Sequence, residues 1–143
     1  MNVLIVAQGR LAQELLAAAE TIAGSLPRFR ALSLDWDEGL ERARQRIAAE
    51  IAALDDGTGV LVLTDMFGST PTNAAMAEAV PGRVEVISGA NLPMVLRLGC
   101  SATPPVPLEE MARWLEIKAR RSISRARGPR PAPVDDGSGK PIC

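Results

Sequence analysis

Three short stretches of this 143-residue chain place residue types suited to chemistry where strands are predicted to end. Asp65 follows the apolar run Val60-Leu61-Val62-Leu63 and precedes Gly68-Ser69-Thr70-Pro71, a glycine leading into a helix start. Free N–H groups at a helix N-terminus favour an anion such as phosphate, by hydrogen bonding and by dipole. Gln8-Gly9 follows the first apolar run, and Ser88-Gly89-Ala90-Asn91 follows the fourth. In open α/β sheets the working crevice lies at the carboxyl ends of the strands, so these three stretches are the candidates for a site. None is specific alone: a Thr-Pro helix start after glycine is often only a cap, and so is a lone aspartate. Gln8 is neither a nucleophile nor a useful acid or base, and the chain contains no histidine.

The elements that must position these residues follow from periodicity. Residues 3–6 form a short β-branched run of the kind found in strands covered on both faces. Leu11, Leu15, Ala18 and Ile22 then recur at helical spacing up to Gly24. Residues 29–34 predict a second strand. Asp35 or Asp37 can cap a helix whose stripe is Leu40, Ala43, Ile47, Ile51 and Leu54. Residues 55–59 are turn chemistry, and 60–63 are the clearest buried strand. Thr70 is the expected N-cap of the next helix, with Pro71 at its first position, and that helix runs to about Val80. A fourth strand at 84–87, a short helix at 94–98 and a last amphipathic helix through Leu108, Met111, Leu115 and Ala119 complete the pattern. Strands alternating with helices predict an α/β fold with a mainly parallel central sheet flanked by helices. Residues 1–127 read as one domain and 128–143 as a flexible Pro/Gly-rich tail.

Composition narrows the function classes. A net charge of −1 gives no electrostatic case for nucleic acid or a membrane surface. No apolar run approaches the roughly 18 residues of a membrane span, and the opening stretch lacks a basic leader, so a cytoplasmic address is expected. Cys100 and Cys143 are too few for a disulfide framework or a metal cluster. The basic residues Lys118, Arg120, Arg121, Arg125, Arg127 and Arg130 complement a helix end, and no aromatic interleaves with them for base stacking. Trp36 and Phe67 read first as packing residues, with Phe67 also a candidate for a partner-docking surface.

Taken together, "LIVAQGRLAQELLAAAETIAG", "VLVLTDMFGSTPTNAA" and "VEVISGANLPMVLRL" resemble, in order and spacing, the IIA component of the mannose family of the phosphoenolpyruvate:sugar phosphotransferase system. The resemblance covers about residues 2–125. It implies a homodimer in which a C-terminal strand, near residues 121–126 here, crosses to the partner's sheet. It implies a phosphoryl group taken from the histidine-containing phosphocarrier protein and passed to a IIB domain, with contact to a membrane only through a transporter complex. No metal or other cofactor is expected. The family's acceptor is a histidine in a Thr-His-Gly triplet after the first strand. That triplet matches Ala7-Gln8-Gly9, so Gln8 stands at the phosphorylation position. The aspartate that orients the histidine matches Asp65. The groups that receive the phosphoryl oxygens match Ser69, which replaces a usual glycine, and Thr70. Gly9, Gly68 and Asn91 shape the backbone around them.

Glutamine changes the chemistry. A carboxamide nitrogen has its lone pair delocalised into the carbonyl and does not attack phosphorus near neutral pH. It still donates and accepts hydrogen bonds, so Gln8 is expected to hold Asp65 much as a neutral histidine would. Phosphotransfer is therefore not expected of the chain as it stands. The leading expectation is a degenerate IIA-like protein that acts as a regulatory or binding protein. The alternatives are an active phosphoryl carrier whose native histidine has been substituted, and a module that binds phosphate or another small anion through Asp65 and Thr70.

Overall fold

The computed structural model describes residues 1–100, 106–125 and 128. Its elements are β1 (Asn2–Gln8), α1 (Leu11–Ala23), β2 (Phe29–Leu34), α2 (Leu40–Leu54), β3 (Val60–Thr64), α3 (Thr70–Met76), β4 (Val84–Ser88), α4 (Leu92–Cys100) and α5 (Leu108–Arg120). The four strands form one parallel sheet in the order β2-β1-β3-β4. The chain leaves β1 toward β2 on one side and returns to β3 on the other. The strand order therefore reverses between β1 and β3, and their carboxyl ends border a crevice.

The apolar runs are continuous because both faces of the sheet are covered. Val3, Ile5, Ala7, Leu61 and Leu63 pack with Ala12 and Ala19 of α1, Met94 of α4 and Leu115 of α5. Their alternate neighbours Leu4, Val6, Val60 and Val62 pack with Ala43, Ile47 and Ile51 of α2 and with Ala74 and Ala75 of α3. Each fully buried Leu, Ile or Val of this kind is worth about 1.5–3 kcal/mol, so the two strands that carry the candidate site are also the best anchored.

Several boundaries differ from the sequence expectation for identifiable reasons. Ser69, not Thr70, caps α3: its hydroxyl accepts the Thr72 N–H at 3.3 Å, and Thr70 is already helical. The helix ends at Met76 instead of near Val80, because Val80 exchanges backbone hydrogen bonds of 3.1 and 2.8 Å with Val84. Neither Asp35 nor Asp37 caps α2, which starts from Gly39 in extended conformation, while Glu38 turns inward. Helix α4 starts earlier, at Leu92, with the Asn91 side chain accepting the Met94 N–H at 3.2 Å. Residues 121–125, where an exchanged strand is expected, add no strand to this sheet, and Ala126 and nearly all of the expected tail lie outside the described residues. Among the described residues, no helix is long and apolar enough to cross a membrane.

Candidate functional site

The three strand ends singled out in the sequence meet at the crevice. β1 ends at Gln8, and Gly9 turns the chain at φ +63, a left-handed conformation that favours glycine. Its N–H donates to the Leu34 carbonyl at 2.9 Å, tying the turn to the end of β2. One strand over, Asp65 leaves β3 with its carboxylate bound on both oxygens. Oδ2 accepts the Gln8 backbone N–H at 3.3 Å. Oδ1 accepts the Met66 N–H at 2.7 Å and the Ser69 hydroxyl at 2.6 Å. Hydrogen bonds to an ionised group are the stronger class, so Asp65 is the pin that joins the two loops.

Behind Asp65 lies a small hydroxyl network. Thr72 donates to the Met66 carbonyl at 2.6 Å, and its oxygen lies 2.8 Å from Thr64 Oγ1 and 3.2 Å from Ser69 Oγ. Each hydroxyl has one proton to give. Ser69 gives its proton to Asp65 and Thr72 gives its own to Met66, which leaves Thr64 as donor to Thr72. The contact between Ser69 and Thr72 then has no proton of its own. Both threonines are fully buried, so the network fixes the loop's shape. Sequence reasoning missed these threonines, because a hydroxyl at the end of an apolar strand (Thr64) or in the first turn of a helix (Thr72) carries no pattern that marks it.

The third segment is tied to the second through main chain. Gly89 N–H donates to the Asp65 carbonyl at 3.1 Å, and Ala90 N–H to the Thr64 carbonyl at 2.9 Å. Asn91 donates to the Gly89 carbonyl at 3.1 Å and caps α4. Gly68 makes the turn into α3 at φ +85, and its carbonyl accepts from Asn73 at 3.2 Å.

The structure thus brings Gln8, Asp65 and Ser69 into direct contact, with Gly9, Gly68 and Asn91 in the loops around them. Thr70 stands half-buried in the first turn of α3, its hydroxyl bonded to none of the others. One expectation changes in detail. Gln8 reaches Asp65 through its backbone N–H, and its carboxamide makes no hydrogen bond to another described residue. The tie to Asp65 therefore does not depend on which side chain occupies position 8.

Apolar side chains rim the crevice. Met66 and Phe67 on the β3–α3 loop are 65% and 78% exposed, and Trp36 on the β2–α2 loop is 77% exposed. Neither aromatic is a packing residue, contrary to the first expectation. A Cβ built on Gly9 would lie 3.1 Å from the Trp36 indole nitrogen, so the indole stands directly against the turn that follows Gln8. Among the described residues, no group of three or more His, Cys, Asp or Glu is placed to hold a metal ion.

The family model described as PTS system fructose IIA component (EIIA-man) matches residues 2–105. The chain belongs to this family. As a mannose-family IIA component it is 29% identical over 128 residues to the sorbose-specific EIIA component of Lacticaseibacillus casei, spanning 87% of this chain and 90% of that one. It is 34% identical over 95 residues to the mannose-specific EIIAB component of Escherichia coli K12, spanning 66% of this chain and 29% of that longer protein. The mannose/sorbose-specific IIA subunit from Enterococcus faecalis superposes with a TM-score of 0.79 at 26% identity, covering 92% of this chain and 98% of that one. The α/β fold with a mainly parallel sheet is that of solved phosphotransferase-system IIA structures.

Proposed function

We propose that this mannose-family IIA component keeps the setting of a phospho-acceptor without the acceptor, and acts by binding the partners of such components. The observation that carries this reading is Gln8 at the carboxyl end of β1, its backbone held by Asp65, in a chain without histidine. A histidine at position 8 would attack phosphorus through a ring nitrogen lone pair; the glutamine amide has none to offer. The Asp65 loop does not depend on that side chain, because its ties run to Met66, Ser69 and a backbone N–H. In this reading Thr70, with Ser69 and the backbone near Gly68 and Gly9, is where phosphoryl oxygens would lie once a nucleophile is restored.

The partners follow from the family: the histidine-containing phosphocarrier protein, a IIB domain, or a regulatory target that distinguishes the unphosphorylated shape. A cytoplasmic location fits such partners. A homodimer also fits, because the outer edge of β4 pairs with no strand among the described residues. Beside that edge runs a groove of about 440 Å³ lined by Val86, Ile87, Ser88, Glu116 and Arg120. A strand from a second copy, led by residues 121–125 with their exposed Ile123, would fill it.

The deciding experiment incubates the protein with the general phosphotransferase enzymes and phosphoenolpyruvate that carries the label in its phosphoryl group. The expected result is no incorporation into the chain as it stands and incorporation into Gln8→His. Labelling of the unsubstituted chain would show a different acceptor and overturn the reading.

A further inference from the structure

Glu38 is a charged residue that the proposed function leaves without a role. It lies in the loop between β2 and α2, and its side chain is 1% exposed. Burying a carboxylate is costly unless it is paired and hydrogen-bonded. Here Oε2 accepts from Arg46 Nη1 at 2.6 Å and from the Asp35 N–H at 3.1 Å. Oε1 has no hydrogen bond and faces Arg42 Nε at 3.7 Å. Arg46 Nη2 also donates to the Ser33 carbonyl at 2.9 Å. One guanidinium thus links the carboxylate in the loop to the last residues of the edge strand β2. The Glu38 N–H closes the turn on the Asp35 carbonyl at 3.1 Å.

Trp36 is carried by this turn. At 77% exposure its indole gains little from burial, so side-chain packing alone does not hold it where it stands. Its place against Gly9 is set by the backbone of the turn, and Glu38 fixes that backbone from within. The far side of the same contact is the Gln8 turn, tied to Leu34 through Gly9 N–H at 2.9 Å. A protein that approaches residue 8 from the crevice meets the indole on the way.

We infer that Glu38 is a positioning residue, which holds the β2–α2 turn so that Trp36 stands beside Gln8 as a contact for the phosphocarrier. The role of Trp36 as a contact rests on the docking reading proposed above; the positioning itself does not.

Two measurements test it. In NMR spectra the Trp36 indole N–H shows a cross-relaxation peak to the Gly9 α protons. Glu38→Ala removes that peak and moves the Trp36 indole resonance toward its position in the denatured chain, while Trp114, packed against the core, stays in place. Glu38→Gln, which keeps the shape and an acceptor oxygen, restores the peak. If Glu38→Ala does not fold, Glu38→Asp retracts the carboxylate by one methylene and gives the same loss. In a Gln8→His background, Trp36→Ala raises the KM for the phosphocarrier about tenfold, the worth of one aromatic anchor at an interface, with kcat kept. Glu38→Ala raises it similarly, and the double variant is no worse than Trp36→Ala alone, because one residue acts through the other. A Gly9–Trp36 peak that survives Glu38→Ala, or effects on KM that add, overturns the inference. A Gln8→His protein that takes no label overturns the proposed function instead, and the NMR measurement still decides the role of Glu38.

Discussion

Strand β3 has aspartates at both ends, and they do different things. At its N-terminal end Asp55 and Asp56 fold the turn that enters the strand. Asp55 accepts the Gly57 N–H at 3.0 Å and pairs with Arg83, and Asp56 accepts the Thr58 N–H at 3.1 Å. Beyond the turn, Asp55 meets Arg83 just before β4, and Asp56 meets the Asn2 side chain at the start of β1. At its C-terminal end Asp65 also folds a turn, through Met66 and Ser69, but its second oxygen reaches Gln8, 57 residues away. The residue type and the local bonding are alike. The difference is topological: the strand order reverses between β1 and β3, and the crevice this opens lies at their carboxyl ends, so Asp65 borders it and Asp55 and Asp56 do not.

The largest test of that difference is chemical. Gln8→His should take label from the phosphocarrier, and Gln8→His with Asp65→Ala should take far less. An Asp56→Ala change in the same background should leave labelling unaltered. Equal loss from the two aspartates would mean that the C-terminal position confers nothing special. Next in size is stability. Asp65→Ala leaves the Met66 and Gln8 N–H groups and the Ser69 hydroxyl without their acceptor. Water reaches part of the site, so the sum of three broken bonds is not expected; about 2 kcal/mol is, measured as a shift in the urea midpoint with unchanged slope. A cost within the scatter of surface substitutions would show that Asp65 does not pin the two loops. Ser69→Ala removes both the cap of α3 and one partner of Asp65. It should cost about 1 kcal/mol, whereas Thr70→Ala should cost clearly less. The reverse order would restore Thr70 as the cap.

That last pair shows what could be read from the residues and what could not. The strands and their parallel arrangement followed from apolar runs and helical spacing, because burial on both faces writes itself into composition, whereas the pairing of Gln8 with Asp65 was implied only by the family resemblance. Ser69 and Thr70 are equally good caps in sequence. The choice fell to Ser69 because Asp65 and Thr72 hold its hydroxyl from two sides. Trp36 was placed wrongly for a related reason: aromatic content predicts burial only on average, and this indole sits on a turn whose position is set by a buried ion pair several residues away. Glu38 gave no signal, since a glutamate at the start of a helix looks like an ordinary complement to its dipole.

The smallest effect separates the two ends of β3 by pH. The Thr58 hydroxyl, and then its N–H, hold the Asp56 carboxyl at about 2, below the ordinary 3.8. Arg83 lowers Asp55 in the same direction. A carboxyl whose folded value is depressed stabilises the fold above its unfolded value, and that contribution is lost as pH falls through the folded one. The window therefore runs from about 4 down to about 2. Asp56 is exposed, and the partner of the largely covered Asp55 is an exposed arginine, so the change is small and weakens further with added salt. Urea midpoints at several pH values across this window should fall less steeply for Asp56→Asn than for the unsubstituted chain. The Asp65 end of the strand should contribute nothing to that difference, which should be the same size in an Asp65→Asn background. Parallel acid limbs for the Asp56→Asn and unsubstituted chains would show that the turn entering β3 is held by its glycines alone. A difference that vanishes with Asp65→Asn would show that the strand couples its two ends.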